Sequence, residues 1–185
     1  LWNLQTQLET CGHHFSTNSL DEQYAFAQLL DSTQVEQPVL ALKWYERAAS
    51  LGHKGAHQAL ATKYFEHDPK KAVGHFAFLL LNGKLRTIQH LAILREKLSS
   101  VGAENLSPDV ETAFKFVEAW NTLSEKDQED AQAHQSQGLL ALSKALKGAS
   151  LEALAFDWLE KAYTIVQEDN EAPKEKPKTD AAYEL

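Results

Sequence analysis

The chain has 185 residues, 43% apolar and 24% charged, which suits a folded domain with a sizeable core. Its formal net charge of −8 excludes nucleic acid and anionic membrane as main partners, because an acidic surface repels both. A single cysteine, Cys11, rules out an intrachain disulfide.

The elements in chain order read as helical almost throughout. Glycine and proline fall between periodic segments, and no alternating β-branched run is bounded by turns. A first segment covers residues 1–15 and a second 20–32, with Asp21 near its start. Pro38 opens a third, where its missing N–H costs nothing, and Gly52 ends it as a C-cap. A fourth spans 54–67. Asp68-Pro69, an N-cap followed by a first-turn proline, opens a fifth that Gly83 ends. A sixth spans 85–100. Ser107-Pro108 opens a seventh, to residue 123. The eighth reads as one helix over 126–146, stopping at Gly148, and the ninth covers 153–166 after Ser150. Residues 168–185 are rich in charge and proline and read as a flexible tail.

No apolar run reaches the ~20 residues of a membrane helix. The run FAFLLL at 76–81 is far too short, so no integral membrane segment is expected. The chain starts at Leu1 and has no methionine, which reads as a trimmed N-terminus. The expectation is a soluble protein, cytoplasmic or, if a signal peptide was removed, periplasmic or secreted.

The strongest pattern is a repeat. From Ala41, the residues Trp44, Tyr45, Ala48, Ala49, Gly52, Ala56, Leu60 and Tyr64 follow at offsets 3, 4, 7, 8, 11, 15, 19 and 23. A shift of 31 residues brings Ala72, His75, Phe76, Leu79, Leu80, Gly83 and Leu91 to the same places, with Ala92 on Ala61. Backwards, the shift projects Ala25 and Leu29 onto Ala56 and Leu60. Ala155, Trp158, Leu159 and Ala162 restate the first half of the unit. The physical logic is packing. Small residues let helices approach, large ones fill the gap, and glycine turns the chain back. One helix pair cannot bury its own stripe, whereas stacked pairs can.

The stretch ALKWYERAASLGHKGAHQALATKY, residues 41–64, resembles the Sel1-like repeat, a relative of the tetratricopeptide repeat, with pattern A-x-x-W-Y-x-x-A-A-x-x-G-x-x-x-A-x-x-x-L-G-x-x-Y. It departs at Ala61, where the family has glycine. The resemblance implies an all-α fold, a right-handed α-solenoid of antiparallel helix pairs. The repeat domain covers 1–167, with the clearest repeats at 37–67 and 68–99 and degenerate ones at 18–36 and 107–167. It also implies a non-enzymatic scaffold or adaptor that binds a protein or peptide on the concave face. The partner-facing candidates lie between core positions: Lys43, Glu46 and Arg47 in one unit, and Lys71, Gly74 and His75 in the next. Gly74 leaves a gap for a partner side chain. No cofactor is implied.

Chemistry-bearing residues are sparse. His53 and His57 have the i, i+4 spacing of a metal pair, but no acidic residue completes an HExxH pattern. Their ordinary reading is capping or solvated histidines. Cys11, His13 and His14 bring metal-ligating types together, the alternative being histidines at a helix end. No phosphate loop, GxSxG or carboxylate pair is present, so no enzyme is expected. The β-lactamase-like Sel1 subfamily carries a cysteine pair in each repeat, which this chain lacks. Trp44 and Trp158 read as core, whereas Trp2 and Trp120 are candidate exposed anchors. Self-association through Leu1, Trp2, Leu4 and Leu8 is the remaining alternative.

Overall fold

A computed structural model of the chain describes residues 19–100 and 106–171. The described residues form nine α-helices and no strand. They are α1 (Leu20–Asp31), α2 (Pro38–Ser50), α3 (Lys54–Tyr64), α4 (Pro69–Leu81), α5 (Ile88–Ser100), α6 (Pro108–Asn121), α7 (Glu125–Gln132), α8 (Ser136–Gly148) and α9 (Glu152–Glu171). A short 3₁₀ turn, Leu85–Thr87, leads into α5. No described helix is long and apolar enough to cross a membrane. The chain divides into two compact units, residues 1–118 and 119–185.

Helix starts follow from local chemistry. The side chains of Ser19, Asp68 and Ser124 accept the N–H groups of Glu22, Lys71 and Asp127, donors the helix itself leaves unmatched. Pro38 and Pro69 occupy first turns, as their fixed φ favours. His53 caps α3 with its own ring: Nδ1 accepts the Ala56 N–H at 3.0 Å.

Helix ends are more uniform than the sequence suggests. At Gly52 (φ 90°) the N–H donates to the Ala49 carbonyl and the next N–H, of His53, to Ala48. At Gly83 (φ 93°) the same two bonds run to Leu80 and Leu79. His134 (φ 57°) and Ser150 (φ 60°) make this Schellman turn without glycine, donating to Ala131 and Lys147, while Gln135 and Leu151 reach Asp130 and Leu146.

In the first unit, α1 packs on α2, α2 on α3, α3 on α4 and α4 on α5, each helix against its chain neighbour. One core holds Phe26, Ala27, Leu30, Ala41, Tyr45, Ala48, Ala49, Ala56 and Leu60. Trp44 and Tyr64 pack against it half-buried. Further along, Ala72, Val73, Phe76, Ala77, Leu79, Leu80, Leu91 and Leu94 are buried. Leu79 and Leu80 thus stand where Ala48 and Ala49 do, buried like them.

The structure departs from the sequence pattern at several positions. Ala25 and Leu29 face solvent, and Phe26, Ala27 and Leu30 are buried instead, one residue further round α1. The stretch 126–146 is two helices, not one. The chain reverses at His134, and α7 packs on α8 so closely that a Cβ on Gly138 would stand 2.2 Å from the Ala131 nitrogen. Trp120 is buried rather than an exposed anchor.

In the second unit α8 packs on both α7 and α9. Leu139, Leu142, Leu146, Ala155, Trp158 and Ala162 are buried, and the buried Ser143 hydroxyl donates to the Ala155 carbonyl at 2.8 Å. Leu159, placed by the repeat beside Trp158 in the core, is exposed. Here offset 3 is the inward position, whereas at Trp44-Tyr45 it is offset 4. α9 also continues to Glu171, four residues into the stretch read as tail. Ser150 takes the left-handed turn, and Gly148 closes α8.

Candidate functional site

α2, α3 and α4 bring together one hydrogen-bonded aromatic cluster. Tyr64 on α3 donates its hydroxyl to Glu46 Oε1 on α2 at 2.7 Å. The Tyr64 ring lies parallel to that of His75 on α4, centroids 6.0 Å apart. His75 Nδ1 lies 3.0 Å from His57 Nδ1, and His57 Nε2 lies 2.9 Å from the Ala49 carbonyl oxygen. A carbonyl can only accept, so His57 Nε2 carries the proton and its Nδ1 is bare. His75 therefore holds its proton on Nδ1 and donates it to His57. The His57 ring stacks on Phe78, centroids 3.7 Å apart.

Burial keeps both imidazoles neutral. It lowers His75 to about 4, helped by His57 and Lys71 and opposed by Glu46. It also lowers His57, helped by His53 and opposed by the bond to Ala49. Burial, then Glu46, raises Tyr64 to about 12, and burial, then Asp31, raises Tyr45 to about 12.

The histidines set a testable pH dependence. Unfolded histidines take up protons near 6.5, above the folded values. Stability is then full above about pH 6.5 and falls as the pH drops towards 4. Solvent screening of this half-buried pair reduces the effect to about 1 kcal/mol. His75→Phe keeps a ring beside Tyr64 and is expected to flatten the wild-type decline in urea midpoint between pH 7 and 4.5. Parallel curves for the two proteins would refute the assignment.

The predicted surface residues are distributed unevenly. Lys43, Glu46 and Arg47 are exposed on α2. The Arg47 guanidinium lies 5.4 Å from the Trp44 ring centroid. Lys71 is exposed, its ammonium 4.9 Å from the Tyr64 ring centroid and 4.0 Å from Asp68. Gly74 is exposed with nothing within 4 Å of where a Cβ would stand, whereas His75 is turned half inward to His57. Glu46, Lys71 and His75 thus meet around Tyr64. The repeat pattern by itself assigns Tyr64 only to packing.

His53 and His57 do not act together. His53 caps α3, stacks on Tyr24 at 4.3 Å and places Nε2 3.2 Å from Asp21 Oδ1. Among the described residues no group of three or more His, Cys, Asp or Glu could hold a metal ion. Cys11, His13 and His14 lie outside the described residues, as do Leu1, Trp2, Leu4 and Leu8.

Depressions are found in each unit. A polar cleft of about 440 Å³ lies between α1 and α3, where Lys63 Nζ meets Asp31 Oδ1 at 2.8 Å. An apolar groove of about 210 Å³ lies between α8 and α9, lined by Leu140, Leu159, Tyr163 and Val166 among others. The signal for the groove was present in the sequence. Phe156, Leu159, Tyr163 and Val166 recur at steps of 3, 4 and 3 beside the row Ala155, Trp158, Ala162. Two adjacent apolar rows on one helix exceed what a single hairpin can bury.

Set beside known proteins, this chain is matched by no family model, no curated protein and no solved structure.

Proposed function

We propose that the protein is a non-enzymatic scaffold that binds a partner protein or peptide, and that α2–α5 form a right-handed, Sel1-like stack of antiparallel pairs. The observation that supports this most is the recurrence of one packing unit after 31 residues. The turns at Gly52 and Gly83 make the same bonds, and Ala41, Ala56 and Leu60 find buried counterparts in Ala72, Thr87 and Leu91. Between those buried positions the chemistry changes: exposed Lys43 gives way to exposed Gly74, and exposed Glu46 to buried Ala77. The partner-facing residues of this reading are Lys43, Glu46, Arg47, Lys71 and Gly74, on what would be the concave face. His75 contributes by fixing Tyr64.

Charge reversal tests it. Lys43→Glu with Arg47→Glu changes two exposed positions, so the helical circular dichroism should persist. Proteins retained from source lysate, quantified by mass spectrometry, should include a partner whose recovery falls roughly tenfold, the scale of about 1.4 kcal/mol. An unchanged retained set would sink the assignment of this surface.

A further inference from the structure

From the second unit we infer that the groove between α8 and α9 is a docking site for a basic amphipathic helix of another protein. The inference rests on the scaffold reading in taking the partner to be a protein, and it adds a second surface and its chemistry. α9 has two apolar rows. Ala155, Trp158 and Ala162 are buried in the hairpin with α8, and Ala162 also lines the groove. Phe156, Leu159, Tyr163 and Val166 are 66, 42, 63 and 42% exposed. Their row runs about 15 Å, at 1.5 Å per residue, which is nearly three helical turns. Leu140 of α8 forms the opposite wall. Leu159, Tyr163 and Val166 of this row line the groove over about 10 Å, a length that suits the i, i+3, i+7 anchors of a helix laid into it.

Charge selects the occupant. Residues 119–185 hold 7 Lys against 13 Asp and Glu, a formal −6 of the chain's −8. Glu152 and Glu160 are exposed one turn before and after Phe156, at the border of the apolar row. Lys161 lies over the Trp158 ring at 3.9 Å, and Lys144 and Lys147 follow Leu140 by one and two turns of α8, so the acidic balance comes from the unit as a whole. A second copy would set −6 against −6. Residues 172–185 balance three Lys with three acids and contain Pro173 and Pro177, which oppose a helix. Residues 1–18 contain no Lys or Arg. A partner with Leu- or Phe-sized anchors flanked by Lys or Arg meets both the apolar and the acidic requirement.

The probe is a fluorescein-labelled helix of about 14 residues, Leu on one face and Lys on the other, roughly 21 Å long. It should bind the full chain and shift the NMR signals of Leu140, Leu159, Tyr163 and Val166. Leu159→Glu should weaken binding at least tenfold, and so should Glu152→Lys with Glu160→Lys. A Leu/Glu peptide of the same pattern should bind wild type at least tenfold more weakly. Should Leu159→Glu unfold, Tyr163→Ser and the wild-type NMR footprint decide the matter. No binding, equal binding of the two peptides, or shifts outside the groove would overturn the inference. So would binding that needs residues 172–185 removed, or a wild-type dimer that Leu159→Glu dissociates. Failure here leaves the Lys43 and Arg47 result standing, because that experiment reads residues of the first unit.

Discussion

Gly138→Ala is expected to destabilise the second unit by about 2–4 kcal/mol. The added Cβ would stand 2.2 Å from the backbone nitrogen of Ala131 and 2.5 Å from the carbonyl carbon of Asp130. Overpacking typically costs 1–3 kcal/mol, and more where the obstacle cannot move. Here the obstacle is backbone. Relieving it shifts α7 and strains the His134 turn, whose Gln135 N–H bonds Asp130 at 2.7 Å. The helix propensity of alanine, worth about 1 kcal/mol over glycine, offsets part of the loss. Gly148→Ala is the internal control. It closes the same helix, has open space around it and is expected to be neutral or slightly stabilising. Urea denaturation followed by circular dichroism separates the two. Equal midpoints for both variants would show that α7 and α8 are not in the close contact described.

Leu60→Ala and Leu91→Ala should each cost about 2–5 kcal/mol, as buried leucines do when a cavity remains. Both side chains are fully buried, and they stand 31 residues apart at the same offset from Gly52 and Gly83. Their neighbours differ in size, alanines around Leu60 and Leu79-Leu80 before Leu91. Losses within about 1 kcal/mol of each other would mark the two positions as equivalent in energy as well as in place. A surface-like loss below about 0.5 kcal/mol at either site contradicts its burial.

Much of this architecture was legible because it is local. Asp68-Pro69, Pro38, Gly52 and Gly83 announce helix boundaries through their own backbone chemistry, and the structure places them there. The break at 133–135 was hidden because His134 takes the left-handed position that glycine usually marks. The glycine nearby, Gly138, sits inside α8, where it serves contact rather than turning. α1 was misregistered by one residue because apolar side chains line two adjacent rows of it, and a period alone does not say which row meets α2.

The site was less legible than the fold. Spacing pairs His57 with His53 on one helix, while its partner in space is His75, 18 residues on across a turn. Helical spacing finds residues on one helix and is silent about what the next helix brings. The groove on α9 is hidden in the sequence for a related reason. Trp158 and Leu159 are adjacent and both apolar, and the repeat pattern assigned both to one face.

The carbonyl of Ala49 receives two donors, the N–H of Gly52 and the imidazole of His57. At the matching place 31 residues on, Leu80 receives the N–H of Gly83, and buried Ile88 stands where His57 would be. An array of identical units has no landmarks, so a partner could slide along it by one period and find the same surface. This chain carries a landmark. On the proposed scaffold reading, a partner that reads the ring cluster around Tyr64 and His75 would be indexed to one repeat, while the glycine turns recur unchanged.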